Sequence, residues 1–321
     1  MLTKQGFALS DLPMPRPVRG QVLVRSVSCG VCEGDVWAYR SAGKMTGPGR
    51  LIGHEGSGIV EALGPGARGL AVGDAVTAMG GPYAEYFLAA PKDLAKLPAK
   101  VDPLWALGEP VACVMHAARR FGVRRGDRVA IVGTGFMGLM CMQLARLQGA
   151  GEIVAIEPLA WRRRVAAKLG ADATANPQGQ DPAKLAKRLG EFQVVIEAAG
   201  APEAVDLCTE LVAQHGRIVL VGYHQSHGGI RQVNMKMWNY KAIDIANGHV
   251  RRIDEKLQAM RAGVALLAKG KLDVRPLVTW YPLSRIAQAF ADLVARRRGL
   301  FKAVLVPQDR STKQRRLWSP G

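Results

Sequence analysis

The sequence predicts an α/β protein in which a compact β-rich domain of short strands is combined with a doubly wound parallel sheet. Residues 1 to about 110 are rich in Gly, Pro and Val, with short alternating segments set between turn signals. After Pro110, aliphatic runs of four to six residues alternate with Ala/Leu/Arg-rich helical stretches. Strands apolar on both faces, alternating with helices, imply a parallel sheet covered on both sides. From about residue 247 the alternation ends.

In chain order, Val22-Leu23-Val24 and Ile59-Val60 read as short strands, with a turn at Gly64-Pro65-Gly66. The parallel sheet is expected from Arg128–Val132, Ile153–Ile156, Gln193–Ile196, Arg217–Val221 and Ala242–Ile245. Helices are expected at Gly138–Gln148, Arg162–Leu169 and Pro202–Val212. A long helix (Asp254–Lys269), a second (Leu283–Arg297) and a final strand (Lys302–Val306) follow, and the tail beyond Val306 reads as disordered.

Composition narrows the function classes. The chain has 321 residues, of which 48% are hydrophobic, enough for a substantial core. No charge-free apolar run reaches 18 residues, so no membrane span is expected. The opening MLTKQGFALSDLP has no apolar run behind a basic cluster and does not read as a secretory leader. Cysteines stand at 29, 32, 113, 141 and 208, an odd number that makes no secreted disulfide framework, so a reducing, cytoplasmic location is expected. The formal charge is +18, in short clusters such as Arg119-Arg120, Arg124-Arg125 and Arg296 to Arg298. No aromatic residues interleave them and no zinc-finger or RNA-binding signature is present. They read as solvated helix faces rather than a nucleic-acid surface, with a field that favours anionic ligands.

Residues 129–138 read VAIVGTGFMG, a strand, a glycine loop and a helix start. Gly133 permits the tight turn, Gly135 lets backbone approach a pyrophosphate, and Gly138 lets helix and strand pack closely. Phe136 and Met137 lie in the first turn, whose positive dipole end faces the phosphates. The next strand ends in Ile156-Glu157, 19 residues past Gly138. A carboxylate there can accept both ribose hydroxyls and repels a 2′-phosphate, so a dinucleotide is expected, NAD before NADP. Arg162 to Arg164 keep NADP open as the alternative.

Three further segments are CGVCEGD (29–35), GHEGSGIV (53–60) and EPVACVMHAARR (109–120). A thiolate, an imidazole and carboxylates from separate segments, with one position left for water, form the ligand set of a catalytic zinc. With these motifs the chain resembles the zinc-dependent medium-chain dehydrogenase/reductase superfamily, nearer its polyol and threonine dehydrogenase-like branch than its ethanol dehydrogenases. The motif order is shared from about residue 20 to 306: CGVCEGD, GHEGSG, GDAV, EPVAC, GTGFMG, KLGAD, VVIEAAG and GRIVLVG.

The resemblance implies a GroES-like β-barrel catalytic domain (1–115 and 247–321), an inserted Rossmann NAD-binding domain (116–246), and a site in the cleft between them. It implies Cys32 and His54 as zinc ligands, Asp35 as the carboxylate orienting the histidine, and Glu55 as an acid that coordinates or swings toward the metal. Glu109 takes the position where this branch places an acid on zinc or its water. Cys113 matches the third ligand of ethanol-type members, and Glu109 is favoured over it. Lys302 matches a basic residue that reaches the cofactor pyrophosphate. The implied activity is hydride transfer between a nicotinamide cofactor and an alcohol or carbonyl, with one catalytic Zn2+ and no structural zinc, in a homodimer or homotetramer.

The chain departs from the family pattern at several positions. Gly34 and Trp37 replace the Ser/Thr and His that relay the alcohol proton in ethanol-type members. Glu33 puts a carboxylate where relatives place a base or small residue near the phosphates, so it must point elsewhere. No cysteine lies between 32 and 113, which removes the four-cysteine zinc lobe. The missing relay, with Trp37, Tyr39, Met45, Met79 and Trp105 as pocket candidates, points to a substrate bulkier than ethanol: a polyol or secondary alcohol. His116, His224 and His249 are candidate cleft hydrogen-bonders. His224 is foremost, because strand ends of α/β sheets face ligands. Two alternatives remain: a zinc-independent quinone or enoyl reductase of the same superfamily, and a basic nucleic-acid-binding protein on a dehydrogenase scaffold.

Overall fold

The computed structural model describes residues 1–307, so the tail expected to be disordered lies outside the described residues. The chain divides into two compact units. The first comprises Met1–Val111, Met260–Lys269 and the segment from Val274 onward; the second comprises Ala112–Ala259 and Gly270–Asp273.

The first unit opens with a small hairpin, β1 (Leu2–Thr3) and β2 (Gly6–Phe7). Strand β3 (Val22–Gly30) leads into helix α1 (Glu33–Arg40), and β4 (Glu55–Leu63), β5 (Ala75–Ala78), β6 (Tyr86–Ala89) and β7 (Leu94–Lys96) follow. Helix α2 (Gly108–Ala118) then carries the chain into the second unit.

The second unit is the expected doubly wound sheet. Its strands are β8 (Arg128–Val132), β9 (Glu152–Ile156), β10 (Ala173–Ala175), β11 (Phe192–Glu197), β12 (Val212–Leu220) and β13 (Asp244–Asn247). All neighbours are parallel, in the order β10-β9-β8-β11-β12-β13. The connecting helices are α3 (Phe136–Leu147), α4 (Ala160–Lys168), α5 (Pro182–Leu189), α6 (Pro202–Leu211) and α7 (Met235–Lys241). Ala130, Val132, Val154, Ile156 and Val195 form one buried cluster with Leu207, Cys208 and Leu211 of α6. That cluster is why the strands read as unbroken aliphatic runs.

Strand β10 and helices α5 and α7 are additions to the expected set. β10 is three residues long, and its Ala173 and Thr174 are exposed, so it carries no apolar run to read. Helix α5 does carry a start signal: Asp181 accepts the N–H of Lys184, and Pro182 opens the first turn.

After helix α8 (Ile253–Ala268) come β14 (Val278–Pro282), α9 (Ile286–Val294) and β15 (Lys302–Val306). They complete the sheet of the first unit, ordered β14-β15-β3-β4-β5-β7, with β6 also paired to β3. β3 is therefore flanked along most of its length, by β4 on one side and by β6 and then β15 on the other. This explains its almost continuous burial. Gly30 lies opposite Val304 on one side and Glu55 on the other, which draws three distant segments together. Among the described residues, no helix is long and apolar enough to cross a membrane.

Candidate metal centre and dinucleotide loop

The end of β3, the start of α1 and the start of β4 meet in the first unit. Cys32 is the residue that caps α1, and His54 immediately precedes β4. One ligand atom each from Cys32, His54 and Glu55 lies within 4.8 Å of the others. Gly30 makes room for the acid, because a Cβ there would collide with Glu55 Oε2 and Leu107. The His54 side chain is 41% exposed, leaving one side of the group open, as catalytic rather than structural sites require.

Glu55 is 1% exposed. Its Oε1 accepts from Lys302 Nζ at 2.7 Å, and the same ammonium donates to the Val31 carbonyl at 2.9 Å. Oε2 is buried with no hydrogen-bond partner. A buried acceptor left unsatisfied is costly. Thiol, imidazole and orphaned carboxylate oxygen together fit a divalent zinc ion, whose protein ligands are S, N and O atoms of this kind.

The electrostatics agree. Burial, then the neighbouring Glu55, pushes the Cys32 thiol up to about 12. Burial also raises the Glu55 carboxyl, against the pull of Lys302, and Glu109 adds to the rise. For Lys302 burial works downward, but Glu55 and Cys32 outweigh it and hold the ammonium form. The fold thus holds the thiol and the carboxyl toward their protonated forms, which a divalent cation would reverse.

Asp35 lies beside His54. Its Oδ2 accepts the Tyr83 hydroxyl at 2.5 Å and lies 3.7 Å from His54 Nδ1. Burial, with Cys29 and Asp35 adding to it, raises the Tyr83 phenol far above its ordinary value, so it stays a donor. No motif marks Tyr83; its partner is 48 residues away.

The other expected residues take these positions. Lys302, expected at the pyrophosphate, donates to the Glu55 carboxylate and the Val31 carbonyl. Glu109 is buried at the start of α2, close enough to shift Cys32 and Glu55 but outside the 4.8 Å group. Cys113 lies one turn further along α2, across the boundary in the second unit. Glu33 is exposed in the first turn of α1, where an acid suits the helix dipole. Tyr39 is half-buried, stacks on Phe7 at 5.4 Å and packs on Phe290, at the edge of the core. Trp37 is exposed, and Met45, Met79 and Trp105 are half-buried.

In the second unit, Gly133 has φ +92°, and a Cβ there would lie 2.7 Å from the Ala199 nitrogen. Only glycine fits this turn. Gly135 caps α3 with open space before it, Arg162 Nη1 being the nearest atom at 3.8 Å from an added Cβ. Phe136 and Met137 form the first turn, and a Cβ on Gly138 would strike the Gly133 carbonyl. An exposed backbone at a helix amino end is a cradle for phosphate, so these residues fit a dinucleotide.

Glu157 stands at the end of β9, 3% exposed. Its Oε2 accepts the Thr134 N–H (3.0 Å) and hydroxyl (3.3 Å), and its Oε1 accepts the Leu159 N–H (3.1 Å). The carboxylate therefore braces the glycine loop, a task that spacing alone does not reveal. Arg162 Nη1 is 3.9 Å from Glu157 Oε2, while Arg163 Nη1 donates to the Glu157 and Pro158 carbonyls. His224 lies beside Glu197 (2.9 Å) and His249 beside the Gly222 carbonyl (3.2 Å). His116 is buried against Glu255 at 3.6 Å.

Two family models match the chain: "alcohol dehydrogenase GroES-like domain" over residues 18–99 and "zinc-binding dehydrogenase" over residues 137–265. The L-threonine 3-dehydrogenase of Pyrococcus horikoshii is 28% identical over 87% of this chain and 89% of its own. Human sorbitol dehydrogenase is 28% identical over 88% of both. Among solved structures, a zinc-binding dehydrogenase from Sinorhizobium meliloti bound to NADP aligns with TM-score 0.82 and 26% identity, covering 92% of this chain and 94% of that one. An alcohol dehydrogenase from Thermus sp. ATN1 aligns with TM-score 0.83 and 25% identity, covering 95% and 98%. The two family models and the relatives agree on one lineage: the protein belongs to the zinc-dependent medium-chain dehydrogenase/reductase superfamily of alcohol dehydrogenase-type oxidoreductases, on its polyol and threonine dehydrogenase-like branch.

Proposed function

We propose that the protein oxidises a secondary alcohol to a ketone, or runs the reverse reduction, on a substrate bulkier than ethanol, with NAD as the hydride carrier. The observation that carries the reading is the convergence of Cys32, His54 and the orphaned carboxylate of Glu55 within 4.8 Å. A zinc-independent reductase has no use for that group. The two relatives at 28% identity bear the names of threonine and sorbitol, and both compounds carry a secondary hydroxyl.

Cys32, His54 and Glu55 would hold the zinc, with Glu109 close by. Bound there, zinc supplies Lewis acidity toward the substrate oxygen. Asp35, 3.7 Å from His54 Nδ1, is placed to orient the imidazole, and the Tyr83 hydroxyl holds Asp35. Lys302 keeps Glu55 in place through Oε1 and leaves Oε2 for the site. With Gly34 and Trp37 at the relay positions, the hydroxyl proton is left to the carboxylates of Glu55 and Glu109. In the second unit Gly133, Gly135 and Gly138 shape the pyrophosphate cradle, and the charge of Glu157 opposes a 2′-phosphate.

NADP is the second reading, favoured by Arg162 beside that carboxylate and by the NADP-bound neighbour. The test is metal analysis of protein purified without chelators, with turnover of sugar alcohols and vicinal diols using NAD and NADP in parallel. About one zinc per chain, turnover lost on chelation, and a preference for NAD are expected. Full activity in a metal-free preparation contradicts the reading.

A further inference from the structure

We propose that Glu197, His224 and Arg231 form a hydrogen-bonded clasp that positions the loop after β12 for the second, nicotinamide-bearing nucleotide of the cofactor. The inference rests on the dinucleotide reading above. The strand order reverses between β8 and β11. In a doubly wound sheet a dinucleotide lies across this switch point, one nucleotide over each half. The glycine loop and Glu157 follow β8 and β9, and so serve the first half. The second half is left to the segments that follow β11 and β12.

Glu197, the last residue of β11, is fully buried. Its Oε1 accepts the N–H groups of Ala199 (2.8 Å) and Gly200 (2.7 Å), and its Oε2 lies 2.9 Å from His224 Nε2. On the other side of the ring, Arg231 Nε donates to His224 Nδ1 at 3.0 Å. Arginine has no acceptor, so Nδ1 must be the unprotonated nitrogen, and Nε2 then carries the proton and donates it to Glu197. A neutral imidazole with one defined tautomer thus bridges a carboxylate and a guanidinium. Arg231 spends its remaining donors on the carbonyls of Ser226, Ile230 and Gly200 and on the Ser226 hydroxyl. One continuous network therefore ties the loop after β12 to the loop after β11.

This loop needs such a tie. Tyr223 and Ile230 are exposed, so little apolar packing anchors it. His227, Gly228 and Gly229 are consecutive left-handed residues, at φ +54°, +65° and +80°. His227 is not a glycine, and a side chain holds that conformation only where its surroundings enforce it. Neither the metal centre nor the glycine loop uses these three charged and polar groups.

The test compares His224→Phe, which keeps a ring and removes both hydrogen bonds, with His224→Gln, which keeps a donor and an acceptor. NADH binding is followed by its fluorescence and compared with ADP-ribose, which lacks the nicotinamide. His224→Phe should weaken NADH about ten-fold, change ADP-ribose by less than about two-fold, and lower the fluorescence enhancement of bound NADH. His224→Gln should restore most of the affinity. Arg231→Lys keeps the charge but loses the fork, and should show the same selective loss if the Phe variant does not fold. Equal weakening of NADH and ADP-ribose, or unchanged NADH binding, overturns the clasp. Wild-type protein that binds neither NADH nor NADPH overturns the dinucleotide reading and the clasp with it.

Discussion

Replacing Lys302 by Met removes the cation from a buried pair and leaves Glu55 behind. At an effective dielectric of about 20, opposite charges 2.7 Å apart attract by about 6 kcal/mol, most of it offset by the desolvation of both ions. The pair is therefore worth little net. Breaking it by removing one partner is different, because the 1%-exposed Glu55 then stands with neither oxygen served by that ammonium. Such a loss costs about 3–5 kcal/mol, a large part of the roughly 5–15 kcal/mol that holds a domain folded. The assay is urea unfolding of zinc-free protein at neutral pH. Lys302→Met should be destabilised by about that amount, and the double variant with Glu55→Gln should recover most of it. The pH dependence has a defined sign. Burial raises the Glu55 carboxyl in the fold, so the penalty for ionising it is present at neutral pH. It fades as pH falls from the raised value toward the ordinary 4.5 and is gone below it, where folded and unfolded states both carry the neutral acid. A Lys302→Met variant within about 0.5 kcal/mol of wild type at pH 7, or a penalty that does not shrink in acid, refutes the reasoning.

Three other outcomes are expected. Tyr83→Phe keeps the ring that packs edge-on against Phe290 but frees Asp35, so zinc affinity in chelator competition should fall about ten-fold with little change in Tm. Gly133→Ala must force a side chain into φ +92° and against the Ala199 nitrogen; about 1–3 kcal/mol of stability and most NADH binding should be lost, measured by denaturation and fluorescence titration. Asp172 accepts the Ile153 N–H at 2.6 Å and pairs with Arg146, and together these outweigh burial and lower its carboxyl. Its stabilisation is therefore present above the ordinary value of 3.8 and lost as pH falls through the lowered one. Asp172→Asn should cost about 1 kcal/mol at pH 7, discounted because the side chain is partly exposed, and should flatten the acid limb of the unfolding profile.

The parallel sheet was legible because its central strands are buried on both faces and so read as aliphatic runs. The edge strand Ala173–Ala175, two of whose three residues are exposed, leaves no such trace. Cys32, His54 and Glu55 could be found because each sits in a local motif. Asp35 lies in the same motif as Cys32, but the contact of Lys302 with Glu55 could not be read: the two are 247 residues apart, and only the pairing of β15 with β3 brings them together. Glu157 was legible by its position at a strand end, but its hydrogen bonds to Thr134 and Leu159 depend on how the loop closes over it. Tyr39 resembled a pocket residue from its place after the cysteine motif. Its stacking on Phe7 and Phe290 is a tertiary fact that local pattern does not encode.

The most direct measurement is cobalt substitution at the metal centre, read by absorption in wild type and in Cys32→Ser. Wild-type protein should take up about one Co2+ per chain and show a thiolate-to-cobalt charge-transfer band together with tetrahedral d–d transitions. The Cys32→Ser variant should lose the band and the metal while still binding NADH, because the glycine loop lies in the other unit. A Cys32→Ser protein that retains stoichiometric cobalt and the same spectrum would contradict a centre built on Cys32, His54 and Glu55.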